Sequence, residues 1–145
     1  MEKKEFSIDI HAPKEKVWAV LWKDSTYPKW TSVFSPGSVA ETDWKKGSKV
    51  LFHDGKGSGM VSTIADKVTN EYMSFKHLGM VKDGKEDTDS PEVKAWAGAT
   101  ENYRLTSKNG DTQLVVDIDL ADDWKDYFTT TFPKALEIVK ELAEN

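Results

Sequence analysis

The chain contains no cysteine. That excludes disulfide staples, thiolate metal sites and a cysteine nucleophile, and it makes a reducing cytoplasm the expected location. Also missing is any run approaching the ~20 apolar residues that span a bilayer. The opening MEKKEFSIDI carries lysines but then alternates polar and apolar residues, so it lacks the unbroken apolar core of a secretion signal, and the protein is expected to remain unexported. Nor is there a basic face: the formal charge is -5, the pI is about 5.2, and the lysines are scattered among acids. Such a distribution displaces no counterions from DNA or RNA, so nucleic acid is not an expected partner. Catalytic signatures are scarce too. There is no Gly-x-Ser-x-Gly elbow, no His-Glu-x-x-His zinc helix and no phosphate loop ending in Gly-Lys-Ser/Thr, and neither a metal nor another cofactor is expected. The run Asp54 to Gly59 has the glycines of a phosphate cradle, but it joins two strand patterns instead of opening a helix and reads as a hairpin loop.

What is present is a chain of 145 residues, the size of one domain, long enough to bury roughly 70% of its unfolded surface. Phe6, Ile8 and Ile10 alternate with Glu5, Ser7 and Asp9, which predicts a half-buried first strand. Ala12-Pro13 ends it, and Val17, Leu21 and the tryptophans at 18 and 22 fall at helical spacing, predicting a short helix to about Lys23. A second, broken helix or aromatic loop follows from Tyr27 to Phe34, closed by Pro36-Gly37. Strand patterns then occupy 38–43, 49–54, 59–68, 72–81, 95–107 and 112–120, with Asn109-Gly110 the clearest hairpin turn. The stretch from Lys82 to Lys94 is polar, contains Gly84 and Pro91, and reads as a long mobile loop and a candidate lid. From Asp122 the period changes: Phe128, Phe132, Leu136, Val139 and Ala143 form an amphipathic stripe capped by Asp122 or Asp123. Pro133 lies inside the stripe without shifting its phase, so one bent helix is expected, long enough to lie across the whole sheet. The fold class is therefore α+β, of the helix-grip kind: a curved antiparallel sheet of about seven strands round a long C-terminal helix.

Ile8-Asp9-Ile10-His11-Ala12-Pro13 with Val17-Trp18, then Trp30, Gly59-Met60-Val61, Tyr103-Arg104-Leu105, Thr112-Gln113-Leu114 and Phe132-Pro133-Lys134-Ala135-Leu136 resemble the START-like superfamily along essentially the entire chain. That superfamily includes birch-pollen-allergen-like proteins and polyketide cyclases, and the sequence looks most similar to its branch of homologues of the activator of the heat-shock-protein-ninety ATPase. The resemblance implies a cavity between sheet and helix and a hydrophobic-ligand role. Its members range from binders to cyclases, so it leaves the activity open.

Candidate site residues follow from phase. Of the three histidines, His11 ends a strand beside a break and His53 is out of phase with Val50 and Phe52, so both are expected on the surface. His77 shares phase with Met73 and Phe75, which makes it either a bonded core histidine or a polar group in a pocket. Strict alternation places Glu101 with Tyr103 and Leu105 on the inner face, where it needs a partner; a bulge at Trp96 to Ala99 would turn it outward instead. Asp117 and Asp119 belong to the solvated face. Aromatics are the other feature, as plain core or as pocket walls. The ligand set expected is Trp30, Phe34, Phe75, Trp96, Tyr103, Phe128 and Phe132 as walls with His77 and Glu101 as polar anchors. The leading expectation is a binder of a small apolar or aromatic ligand. A cyclase- or dehydratase-type enzyme is the alternative, with His77 or Glu101 as general base. A chaperone-modulating module is a weaker one, since the outward positions read as Lys, Asp, Glu, Thr and Ser. A homodimer is a further expectation.

Overall fold

The computed structural model describes residues 1–145. The first strand, β1 (Glu2–Ile10), turns Phe6, Ile8 and Ile10 inward and pairs antiparallel along its length with the last strand, from Glu2 opposite Leu120 to Ile10 opposite Thr112. Pro13 stops it in extended conformation and starts α1 (Lys14–Trp22), followed by α2 (Tyr27–Thr31), whose second residue is Pro28. Next come β2 (Val39–Glu41), β3 (Lys49–His53), β4 (Gly59–Val68), β5 (Tyr72–Lys82) and a three-residue β6 (Lys85–Asp87). After the single turn of α3 (Pro91–Lys94) the chain completes the sheet with β7 (Thr100–Lys108) and β8 (Asp111–Leu120), and ends in α4 (Asp122–Glu144). The sheet order is β1-β8-β7-β5-β4-β3-β2, with β6 added beside β5.

Local chemistry explains the turns. Asn109 and Gly110 both take positive φ, 54° and 87°, as a two-residue hairpin requires. Gly59 is needed because a Cβ there would stand 1.8 Å from the carbonyl oxygen of Phe52. Register slips between Val61 and Ser62 and between Ile64 and Asp66 place bulges in the β4–β5 pair, and such bulges bend the sheet.

Several expectations are corrected. Lys82 to Lys94 is no loose loop: Asp83 and Gly84, at φ 51° and 77°, make a tight hairpin that sets Lys82 opposite Lys85. Ser90 then caps α3 by accepting the Val93 N–H at 3.3 Å, and Val93 is fully buried, anchoring the segment. The Asp-Gly turn signal outweighs polarity here. β7 begins at Thr100, since residues 95–99 finish the turn after α3. Neither Asp122 nor Asp123 caps α4; Ala121 occupies that position, and the two carboxylates sit in the first turn, where the helix dipole favours them.

The helix α4 runs unbroken through Pro133 and buries Thr131, Phe132, Ala135, Leu136, Val139 and Ala143. Its closest packing is against β1, α1 and α2. The half of the concave face built from β3, β4, β5 and β7 is roofed by rings: Trp22 of α1 stands 5.4 Å from Phe75 and 5.0 Å from Tyr103, and Trp30 of α2 stands 6.2 Å from Tyr103.

Phe132 stacks on Phe6 at 5.0 Å, meets Phe34 edge-on at 5.1 Å, and is almost wholly buried. Phe132→Ala is therefore expected to cost ~3 to 5 kcal/mol in urea unfolding, the range for an aromatic deleted from a packed core. A loss well below that would mean that its surroundings collapse or that it borders free space.

Candidate functional site

Three neighbouring strands bring four polar side chains together on the concave face. Ser62 of β4 lies opposite His77 of β5 in the ladder, and its Oγ is 2.6 Å from His77 Nδ1. Glu101 of β7, opposite Phe75, places Oε1 at 3.1 Å from His77 Nε2. Tyr103, next on the same face, donates its hydroxyl to the other carboxylate oxygen of Glu101. With Glu101 ionised, both of its oxygens accept, so Nε2 of the imidazole carries the proton and Nδ1 accepts from the Ser62 hydroxyl. Ser62 is 0% exposed and Tyr103 2%, whereas the Glu101 side chain retains 20%. Burial, and then the charge of Glu101, hold the Tyr103 phenol well above its usual range. The Tyr27 phenol is raised in the same way, first by burial and then by Glu101, with Ser38 partly opposing.

The order serine, imidazole, carboxylate is that of a hydrolytic triad, but here the serine bonds Nδ1 and is sealed from solvent, so no substrate reaches it. No three His, Asp or Glu side chains converge to hold a metal ion. The arrangement can hold a proton on His77 Nε2 and present a carboxylate edge at the end of an aromatic interior.

The expected wall residues fall into two groups. Trp30, Phe75 and Tyr103 pack with Trp22 and Phe52, Trp30 donating its indole N–H to the Leu21 carbonyl at 3.1 Å. Phe34, Phe128 and Phe132 form a second cluster under α4, with Phe34 5.8 Å from Phe128. Trp96 belongs to neither; half-buried in the turn after α3, it makes no ring contact with them, although Gly98 and Ala99 of the same turn hydrogen-bond the backbone of His77 at 2.8 Å. His11 is exposed and pairs with Asp111 at 2.7 Å. His53 is half-buried instead of solvated: Nε2 is 2.8 Å from Glu41 and Nδ1 accepts the Gly55 N–H. It helps line a cleft of about 310 Å³ with Asp24, Tyr27, Val39, Glu41 and Trp44. Asp117 and Asp119 keep to the outer face but are tied to Lys3, Asn102 and Thr100. Ser62 is the functional group that sequence reasoning missed. Its phase with Ile64 was the available signal, the same alternation that placed Glu101.

An antiparallel sheet with two short helices after its first strand and a long C-terminal helix packed on it defines an α+β protein of the START-like, helix-grip class. Residues 11–143 match the family described as Activator of Hsp90 ATPase homolog 1-like protein, and the chain belongs to that family. Among solved structures it is similar to the Aha1 dimer from Colwellia psychrerythraea, at TM-score 0.76 and 20% identity over 99% of this chain and 97% of that one. A protein from Mesorhizobium loti gives TM-score 0.73 at 14% identity, over 97% of this chain and 96% of that one. CalU16 from Micromonospora echinospora gives 0.67 at 10% identity, over 99% of this chain and 76% of that one. At such identities the likeness is one of fold. No curated protein sequence matches the chain.

The raised phenols make stability fall in alkali. Unfolded tyrosine ionises near pH 10 while native Tyr103 stays protonated, so the native state binds the extra proton and unfolding becomes easier as pH rises. Above pH 10, Tyr103→Phe is expected to flatten the loss of unfolding free energy by about 1.4 kcal/mol per pH unit. Equal slopes for the variant and the native protein in urea titrations between pH 9.5 and about 11 would show that Tyr103 ionises freely in the fold.

Proposed function

We propose that this protein binds a small, largely apolar or aromatic molecule between the sheet and its helical cover. Phe34 and Phe128, backed by the packed ring of Phe132, border that space on the α4 side, Trp30, Phe75 and Tyr103 border it on the sheet side, and Glu101, held in place by His77, anchors the ligand's polar end. The carrying observation is the Ser62–His77–Glu101–Tyr103 chain itself. A buried imidazole and carboxylate are seldom better for stability than apolar side chains of the same volume, so their presence among aromatics favours a recognition role. Apolar walls with a few convergent polar groups are the usual make-up of a small-molecule site.

A cyclase-type activity is the second reading, favoured by the 3.1 Å contact that would let Glu101 set the tautomer of His77. Binding stands first because a general base must come within about 3 Å of the reacting atom, and the His77 nitrogens are already occupied by Ser62 and Glu101. A chaperone-modulating role rests on the family description alone. We also propose a homodimer: α4 leaves Trp124 57% and Tyr127 39% exposed, 6.0 Å apart, and the Colwellia relative is described as a dimer.

Native mass spectrometry of freshly purified protein is expected to show a retained small molecule. Glu101→Gln should weaken a hydroxylated aromatic by about tenfold or more while leaving its hydrocarbon counterpart nearly unchanged, because only the former loses a charge-assisted hydrogen bond. A protein that retains nothing, and whose melting temperature no aromatic compound raises, would overturn the reading.

A further inference from the structure

Of all buried side-chain nitrogens and oxygens, only Nε1 of Trp22 has no hydrogen-bond partner. Trp22 is 7% exposed and lies among Trp18, Trp30, Trp44, Phe75 and Tyr103. A buried donor left unpaired is costly in any fold, and the contrast with Trp30, whose indole N–H reaches a carbonyl, shows that this interior supplies acceptors where they are needed for packing alone.

One ring separates this donor from the outside. Trp44 packs tilted against Trp22 at 5.4 Å and also lines the 310 Å³ cleft together with Asp24, Tyr27, Glu41 and His53. It belongs to no strand, standing in the connection between β2 and β3. Its φ is 62°, a left-handed conformation that is an outlier for so bulky a residue. Three polar contacts hold it there: Thr42 Oγ1 accepts its N–H at 3.2 Å, Asp43 accepts the Lys45 N–H at 2.9 Å, and Lys67 donates to its carbonyl at 2.8 Å. All three are outside the core, so a short connection can release the ring without disturbing the ladder.

We infer that the cleft is the entrance to the interior site, that Trp44 is its movable wall, and that the ligand carries a neutral acceptor, such as a ketone, ester or ether oxygen, that takes the Trp22 indole N–H. A neutral acceptor fits because the cleft displays the carboxylates of Asp24 and Glu41 and no lysine or arginine lines it, so an anion is repelled at the entrance. This inference rests on the ligand-binding reading above and adds the route and the chemical class.

The test uses acetophenone, its near-isosteric hydrocarbon ethylbenzene and the anion benzoate against the nitrogen-labelled native protein. Acetophenone is expected to bind about three- to tenfold tighter than ethylbenzene, the yield of one neutral hydrogen bond, and benzoate far more weakly. The Trp22 indole proton resonance, identified by its absence in Trp22→Phe, should move downfield with acetophenone only. Trp22→Phe should erase the preference for the ketone. Trp44→Gly, which suits the left-handed backbone, should speed association of both neutral compounds several-fold. Equal affinity for acetophenone and ethylbenzene, or a Trp22 resonance that stays still at saturation, overturns this inference and leaves the binding reading standing. Failure of both neutral compounds to bind either the native protein or a folded Trp44→Gly overturns both. Should Trp44→Gly not fold, the native-protein comparison decides alone.

Discussion

The apolar stripe of α4 is the contact on which the remainder depends. Phe132, Leu136 and Val139 are buried on a helix that packs chiefly against β1, α1 and α2. The sheet, curled by its two bulges, also has a concave half over β3, β4, β5 and β7 against which aromatic rings pack. Water cannot be left against Ile64, Met73 and Phe75, all nearly inaccessible, so other apolar surface must close over them. Trp22, Trp30 and Trp44 do this from two short helices and one loop, because an indole spans the gap that a helix backbone leaves.

A roof made of separate side chains differs physically from one made of a helix. Rings meet at 5.0 to 6.4 Å in edge and tilted contacts, and Trp22 and Trp44 are carried by separate short segments. The polar chain from Ser62 to Tyr103 lies under this divided roof. There the low dielectric strengthens its hydrogen bonds and at the same time makes every unpaired group expensive. A site for a small molecule is economical in such a place, because the ligand replaces packing that is already modular.

Much of this was legible from periodicity. Alternation placed Glu101 and Tyr103 on one face and His77 with Phe75 on the same side of the sheet, because side-chain direction along a strand follows from the backbone alone. What alternation does not carry is which strands are neighbours. Ser62 meets His77 only because the β4–β5 register shifts between Ile64 and Asp66, and the Lys82 to Lys94 stretch owes its order to a hairpin turn and one buried valine, features too local to show as a period. Trp96 illustrates the converse: the strand pattern over 95–107 includes it, but the strand itself begins later, at Thr100.

By itself the sequence determined the class of fold, the β1 and α4 faces, the turn at Asn109-Gly110 and the inward set on β5 and β7. Each of these depends on residues within a few positions of one another, through backbone period, turn geometry or capping. Only the tertiary structure decided that Glu101 is shared by His77 and Tyr103, and that Trp44 stands between a surface cleft and Trp22. These relations join residues from distant parts of the chain, and they are set by how a bulged sheet curves and by which rings fill the volume it encloses, quantities that no local pattern encodes.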